Sequence, residues 1–305
     1  MKSLVGYTGF VGSNIAAKAN FEGLYHSTDI AKAFGTHPDL LIYAGVRSEK
    51  FLANHDPKKD LEVIKEAFEN IRRINPKQLV LISTIDVYKN PVDVDEDTVI
   101  DTDGLQAYGL NRYYLEQWVE EGFPDHLIIR LPGLYGKNLK KNFIYDFIHM
   151  IPSMLTESKF MELCAKDPFL KPFYTIQENG FYKCNPLTQE QTVKLKGYFN
   201  SVGFSALNFT DSRGVFQFYN LSFLWQHIQT ALKNGISLLN LFTEPVSASE
   251  IYRAVRGTDW SNELSKPVPL YRAKTKYAGL FGGSNGYIFN GKFVIEDVKE
   301  FIKRG

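Results

Sequence analysis

The sequence predicts an α/β protein built on a doubly wound parallel sheet, with a smaller C-terminal lobe. In the first half, short apolar runs alternate with segments in which apolar residues recur at helical spacing, the order of βαβ units. A glycine-rich turn separates the first run from the first helical segment. The apolar runs are 3–6, 24–26, 40–44, 78–83 and 126–131, and the helical segments are 10–18, 60–74 and 107–121.

Composition is that of an ordinary globular protein, with 44% hydrophobic and 23% charged residues in 305. The formal net charge of +1 gives no reason to expect a nucleic acid or a membrane surface as partner. No apolar run reaches the length of a membrane helix, and no basic-then-apolar leader precedes the first strand. Cys164 and Cys184 lack C-x-x-C spacing and are expected to be unpaired. We therefore expect a cytoplasmic protein.

The first turn places Gly6, Gly9 and Gly12 at G-x-x-G-x-x-G spacing. In such a turn the first glycine allows a tight exit from the strand, the second a close approach of a pyrophosphate, and the third close packing of helix on sheet. The segment therefore predicts a site for NAD or NADP, with Thr8, Phe10 and Val11 beside the glycines. The alternative is a tight turn without a ligand.

The choice between NAD and NADP depends on residues about 20 positions further on, where an acidic side chain normally binds the adenosine ribose. Asp29 could bind a 2′-hydroxyl, whereas Ser27 and its polar neighbours could admit a 2′-phosphate. No arginine lies here to favour NADP, so NAD is the expectation. Ala44, Gly45 and Leu131, at the carboxyl ends of predicted strands, are further expected cofactor contacts.

The composition and periodicity of the sequence change after Gly136. Residues 137–212 are rich in Phe, Lys, Asn and Tyr without a regular period, whereas 216–232 predicts a strand and a helix and 238–242 a further buried strand. Ser247 is a start signal for a short helix at 249–255. We predict an NAD(P)-binding domain over 1–136, completed by about 214–245, and a substrate-binding lobe formed from 137–213 and 246–305.

Three later segments carry candidate chemistry. A buried strand over 79–83 leads to Thr84 and Asp86, Tyr108 and Arg112 share one helical face, and a strand at 127–131 runs into a Pro/Gly turn over 132–136. With the glycine turn, and in this order, they resemble the extended short-chain dehydrogenase/reductases, the NAD-dependent epimerase/dehydratase family, most of which act on nucleotide sugars. Residues 25–29 also look like the second strand of dTDP-4-dehydrorhamnose reductases.

The resemblance implies that Tyr108 is the acid/base and that Thr84 hydrogen-bonds the same sugar oxygen. A phenol needs a nearby positive charge to act as a base at neutral pH. The family has lysine where this chain has Arg112, a planar fork in place of a compact ammonium. Either the site is rebuilt around the longer side chain, or the protein binds the dinucleotide as a sensor or scaffold without turnover. A purely packing role for the Tyr108 ring is the remaining alternative.

Further expectations concern the substrate and partners. Ile85 and Asp86 replace the Asp-Glu pair of the family's dehydratases, which leaves reduction or epimerisation of a nucleotide-activated sugar. Asp86, Asn138, Asn142 and Arg213 are candidate substrate contacts, although the loop around 138–142 could equally be a solvated basic loop. The scattered histidines predict no metal site. A homodimer could form through helices 60–74 and 107–121, and the acidic run 93–97 is expected to be a solvated turn.

Overall fold

The computed structural model describes residues 1–304. Its strands are β1 Lys2–Val5, β2 Gly23–Tyr25, β3 Leu40–Tyr43, β4 Gln78–Thr84, β5 His126–Leu131, β6 Gly133–Tyr135, β7 Met154–Leu155, β8 Tyr174–Ile176, β9 Tyr182–Cys184, β10 Val215–Phe216, β11 Phe218–Asn220, β12 Leu238–Asn240 and β13 Val246–Ser247. Its α-helices are α1 Phe10–Ala16, α2 Lys50–His55, α3 Pro57–Ile74, α4 Ala107–Gly122, α5 Phe143–His149, α6 Glu157–Lys166, α7 Gln189–Ser201, α8 Leu224–Lys233, α9 Ala248–Arg256 and α10 Gly291–Arg304.

The central sheet has six strands in the order β2-β1-β3-β4-β5-β12, and every pair in it is parallel. The chain therefore winds outward in both directions from β1 and β3, which confirms the predicted doubly wound sheet. In open α/β sheets, ligands bind beyond the carboxyl ends of the strands where the winding reverses. Here that crevice lies between the ends of β1 and β3.

Each face of the sheet is covered by helices because successive strand side chains point to opposite faces. Leu79 and Leu81 pack with the apolar side chains of α3 and α4. Val80, between them, packs instead in the core formed with α1 and α8. Both faces are thus buried, as expected for a parallel sheet.

Several local predictions need correction. The expected turn after β5 contains a strand, because β6 pairs in parallel with β11. Helix α3 begins at Pro57 rather than at residue 60, since the Asp56 side chain accepts from the Lys59 N–H and proline suits the first turn. Helix α2 was not predicted. The predicted start signal before α9 is confirmed: Ser247 forms a capping box with Glu250.

The segment without a regular period is more structured than predicted. It contains α6, α7 and an antiparallel sheet of order β7-β9-β8, around a core rich in aromatic side chains, and α5, which packs with α9 and α10 instead. The division into a cofactor domain and a substrate lobe stays a prediction.

The acidic run 93–97 is not simply a solvated turn. Glu96 is buried and accepts hydrogen bonds from the Asn240 N–H (2.8 Å), the Thr275 hydroxyl (2.6 Å) and the Lys276 N–H (2.9 Å). These bonds join the loop before α4 to β12 and to the segment around 275. No helix within 1–304 is long and apolar enough to cross a membrane.

Candidate active site

The glycine turn has the close backbone contacts that its sequence predicts. Gly6 has a φ of +85°, in the left-handed region that favours glycine, and a Cβ there would lie 2.5 Å from the Ala44 carbonyl oxygen. A Cβ on Gly12 would overlap the Gly6 carbonyl oxygen. The turn is therefore packed directly against the end of β3, at the crevice where the sheet winding reverses.

This turn leaves hydrogen-bond donors for an anion. The N–H groups of Phe10 and Val11, in the first turn of α1, donate to no protein acceptor among residues 1–304. A Cβ on Gly9 would come within 3.2 Å of the Gly6 carbonyl oxygen, so this surface is made of backbone. Bare backbone with free donors fits a pyrophosphate.

The segment 26–29 lies beside the glycine turn, because the Gly6 N–H donates to the Tyr25 carbonyl (2.7 Å). Asp29 accepts from the His26 N–H (2.8 Å) and lies 3.7 Å from its ring nitrogen. Ser27 is exposed. One carboxylate oxygen of Asp29 is therefore used within the turn 26–29. Ser27 and Asp29, the predicted ribose contacts, both lie in this turn, next to the glycine turn.

Helix α4 begins against the end of β4. A Cβ on Gly109 would overlap the Asp86 carbonyl oxygen, so glycine is required for this contact. The Tyr108 N–H donates to the Asn54 side chain on α2 (2.9 Å). Tyr108 is consequently held between the turn that carries Thr84 and Asp86 and the unpredicted helix α2.

Tyr108 is only 7% exposed. Its burial raises the pKa of the phenol above the usual value; Arg112 and Lys50 act to lower the pKa, and Asp86 to raise it. The net direction is upward, so Tyr108 is a neutral phenol at neutral pH. Arg112 thus lowers the pKa of Tyr108, as a nearby positive charge does, but burial outweighs it.

Both terminal nitrogens of the Arg112 guanidinium are bound by protein groups. It forms a fork with Asp60 on α3 (2.8 and 3.2 Å) and donates to the backbone carbonyls of Arg47 (2.8 Å) and Tyr108 (3.0 Å). Its central carbon lies 3.7 Å from the centroid of the Tyr108 ring. Arg112 therefore fixes the ring and ties α4 to α3, and does not reach out as the family's lysine would.

A cavity of about 270 Å³ opens at Gly109, the residue after Tyr108, and is lined by Lys50, Asp86 and Tyr271 among others. The Lys50 ammonium binds the Asp86 carboxylate at 2.7 Å, and their side chains are 44% and 23% exposed. Burial alone would lower the pKa of Lys50, but Asp86 and the tyrosines around it raise the pKa above its usual value. Lys50 is therefore a charged group in the cavity that the sequence analysis missed.

Thr84 ends β4, and its hydroxyl accepts from the Asp86 N–H (3.2 Å). Leu131, at the end of β5, pairs with Thr84 across the sheet. The predicted catalytic and cofactor residues on these two strands thus reach the same edge of the sheet.

The predicted substrate contacts are less uniform. Asp86 lines the cavity. Asn138 donates to the Ser13 hydroxyl (3.2 Å), whereas Asn142 caps α5 by accepting from the N–H groups of Ile144 and Tyr145. Arg213 is paired with two carboxylates, those of Asp211 and Glu263 (2.8 Å each). Asn142 and Arg213 thus have structural partners already, and their role toward substrate stays a prediction.

A buried ion pair behind the site was also missed. Arg130 binds Glu116 (2.6 Å) and donates to the Tyr88 hydroxyl (2.8 Å), and the Ser83 hydroxyl bonds Glu116 as well. These groups fasten α4 to β4 and β5 beneath Tyr108. These residues lie within the three segments that carry candidate chemistry, but their pairing across distant positions cannot be read from the sequence.

Comparison with known proteins gives a structural likeness only. No protein-family model matches the chain, and no curated protein matches it in sequence. Among solved structures, dTDP-4-dehydrorhamnose reductase from Yersinia enterocolitica has a TM-score of 0.64 at 12% identity, over 99% of this chain and 98% of that one. RMD from Pseudomonas aeruginosa, complexed with NADPH, has a TM-score of 0.61 at 15% identity, over 100% and 99%.

A third structure is a tyrosine-to-phenylalanine mutant of UDP-glucuronic acid 4-epimerase from Bacillus cereus, in complex with a fluorinated UDP-sugar and NAD. Its TM-score is 0.59 at 16% identity, over 100% of this chain and 99% of that one. The chain therefore has the Rossmann-type fold of the nucleotide-sugar reductases and epimerases. The predicted likeness to dTDP-4-dehydrorhamnose reductases is confirmed at the level of the fold.

Proposed function

We propose that this protein is an NAD(P)-dependent oxidoreductase or epimerase of the extended short-chain class, acting on a nucleotide-activated sugar. The observation that carries the proposal is the glycine turn. Its free backbone N–H groups lie at the same edge of the sheet as Thr84, at the end of β4, and Tyr108, at the start of α4. NADPH and NAD in the similar structures support a nicotinamide dinucleotide. Asp29 beside the turn favours NAD.

In this proposal Tyr108 transfers the proton. The raised pKa keeps its hydroxyl protonated at neutral pH, so Tyr108 starts as a proton donor to a sugar carbonyl oxygen, which becomes a hydroxyl. The bound dinucleotide supplies the hydride for the carbonyl carbon. Thr84 hydrogen-bonds the same oxygen, and Ile85 leaves no acid there for elimination of water.

Cofactor binding is tested first, by the shift in melting temperature with NAD, NADP and their reduced forms. We expect stabilisation of the wild type, and its loss in Gly12→Ala. The matched control is Gly197→Ala in α7, where a Cβ meets nothing within 4 Å and binding should be unchanged. Equal stabilisation of Gly12→Ala and wild type would refute the cofactor site.

Turnover is tested with a panel of nucleotide sugars and 4-keto nucleotide sugars. Tyr108→Phe should abolish turnover and leave cofactor affinity nearly unchanged, because the ring and its contacts remain. Tyr114→Phe, on the same helix, should behave as wild type. Loss of cofactor binding in Tyr108→Phe would contradict the assigned proton-transfer role.

A second candidate is a dinucleotide-binding sensor or scaffold of the same fold. The engagement of Arg112 by Asp60 favours it, because no cation at position 112 reaches toward a cofactor. This candidate predicts tight NAD(P) binding without turnover of any nucleotide sugar, and no gain of activity in Arg112→Lys. The cytoplasmic location and the homodimer through α3 and α4 stay predictions; light scattering measures the latter.

A further inference from the structure

Two side chains on the same face of α2 bind neighbouring parts of the candidate site: Asn54 the start of α4, and Lys50 the segment after β4. Lys50 and Asn54 are four residues apart, one helical turn. Asn54 accepts the Tyr108 N–H (2.9 Å) and donates to the Gln106 side chain (3.0 Å). This helix is therefore anchored at the backbone of Tyr108, with Lys50 one turn away.

Lys50 is tied to the same place through Asp86. Its ammonium binds the Asp86 carboxylate (2.7 Å), and the Asp86 backbone carbonyl is in contact with Gly109, the residue after Tyr108. Lys50, Asp86 and Gly109 line one cavity. The ion pair therefore lies at the opening that is lined by Gly109, the residue next to Tyr108.

The two cations near Tyr108 differ in what they can do. Arg112 is buried at 6% exposure, and its carboxylate partner Asp60 at 11%, with a two-point fork between them. Lys50 is 44% exposed and has one bond to Asp86, so its ammonium has donors left to face the cavity. A compact ammonium on a flexible stem can also follow a ligand, whereas a planar fork held at both ends cannot.

We propose that Lys50 supplies a second positive charge near Tyr108, from α2, in addition to the Arg112 guanidinium that is stacked on the ring. Lys50 is a positioning residue in this scheme, because it acts through the charge at Tyr108 and through Asp86. The inference rests on the proposed function and adds a residue to it, from a different helix than the motif predicts.

The charged and titratable groups around Tyr108 come from three helices and two connecting segments. They are Lys50 on α2, Asp60 on α3, Asp86 after β4, Arg112 on α4 and Tyr271. Asp60 stays neutralised by Arg112 when Lys50 or Asp86 is replaced. Lys50 and Asp86 act on the pKa of Tyr108 in opposite directions, and this opposition is what the experiment uses.

The experiment follows the ionisation of Tyr108 in the full chain by NMR, with tyrosine labelled at the ring carbon that bears the hydroxyl. The Tyr108 resonance is assigned by its absence in Tyr108→Phe. We expect Lys50→Met to raise the pKa of Tyr108 by about one pH unit, a roughly tenfold lower phenolate fraction, and Asp86→Asn to lower it. Lys50→Arg, which keeps the charge, should lie near wild type.

Lys89→Met is the matched control. Lys89 lines the same cavity but is bonded to Asp101 (3.2 Å) and to the Asp103 carbonyl, so the pKa of Tyr108 should not move. Variants with wild-type circular dichroism spectra are compared. If Lys50→Met and Asp86→Asn move the pKa in the same direction, the pair is only structural and the proposal is wrong.

Two further results would overturn the proposal. One is an equal pKa of Tyr108 in Lys50→Met and Lys89→Met. The other is a Tyr108 that stays un-ionised to about pH 11 in all variants, Asp86→Asn included. The titration needs no turnover, so it separates this inference from the proposed function. If Lys50→Met and Asp86→Asn shift the pKa of Tyr108 in opposite directions but no sugar is turned over, the inference stands and the proposed enzymatic function is refuted. Turnover whose pH profile is unaffected by Lys50→Met would do the reverse.

Discussion

Replacing Arg112 by methionine removes the positive member of a buried ion pair. The substitution deletes two bonds to Asp60 (2.8 and 3.2 Å) and those to the carbonyls of Arg47 (2.8 Å) and Tyr108 (3.0 Å). Asp60 then keeps only the Asn111 amide (2.9 Å) while 11% exposed. Breaking a buried pair from one side costs about 3–5 kcal/mol, a large part of the roughly 5–15 kcal/mol that stabilises a domain.

The conservative exchange Arg112→Lys should also destabilise the protein, by roughly 1–2 kcal/mol, because one ammonium cannot replace the fork and the two carbonyl contacts. The double variant Arg112→Met with Asp60→Leu should recover most of the loss, since no uncompensated charge remains. Guanidinium chloride unfolding followed by tryptophan fluorescence gives the free energies and their coupling.

The control is Arg72→Met, in the exposed pair of Arg72 with Glu69 on α3, where 62% and 55% of the side chains are accessible. Exposed pairs contribute little, so this variant should match wild type. A loss below about 1 kcal/mol in Arg112→Met, or a double variant no better than its worse parent, would refute the view that this arginine fixes α4 to α3.

Two more predictions concern stability. Gly109→Ala should cost about 2–3 kcal/mol of folding free energy, since its Cβ would overlap the Asp86 carbonyl oxygen. Gly197→Ala, the control, should be neutral or slightly stabilising. The denaturant midpoints of the two variants test this prediction, and equal midpoints would contradict the close contact at Gly109. Burial raises the pKa of Asp146 to about 7, so the folded protein retains a proton that the unfolded chain has lost. Its stabilising contribution is therefore complete below about pH 4 and is lost as the pH rises to about 7. Asp146→Asn should gain roughly 3 kcal/mol over wild type across that window, and a constant difference from pH 4 to 8 would contradict the shift.

The parts of the site that could be predicted from sequence are those fixed by local geometry. Gly6 and Gly12 follow from spacing because a Cβ at either position meets backbone, and this holds in any chain that makes this turn. The positions of Thr84 at a strand end and of Tyr108 in the first turn of a helix follow from the sequence pattern, whereas their roles are what the family resemblance implies. Parallel strands bring such ends to one edge whatever the rest of the chain does.

What could not be predicted depends on partners distant in sequence. Asp60 and Arg112 are 52 residues apart, and Glu96 reaches Asn240 across 144 residues. Neither acid differs in its local sequence from an exposed one. The short helix α2 has no apolar periodicity, because Phe51 and Leu52 are adjacent in sequence, and both are exposed in the structure. The sequence therefore did not indicate where Lys50 would lie.

The arginine at position 112 therefore decides less about activity than its place in the motif implies. If a single side chain at position 112 had to hold the tyrosine and also present a free positive charge, replacing the family's lysine would remove both functions. Here Arg112 holds the ring, and a second cation, Lys50, lies in the cavity at Gly109 with its side chain partly exposed. Activity that is insensitive to Arg112→Lys but sensitive to Lys50→Met would follow from that separation, whereas a sensor without turnover would be indifferent to both.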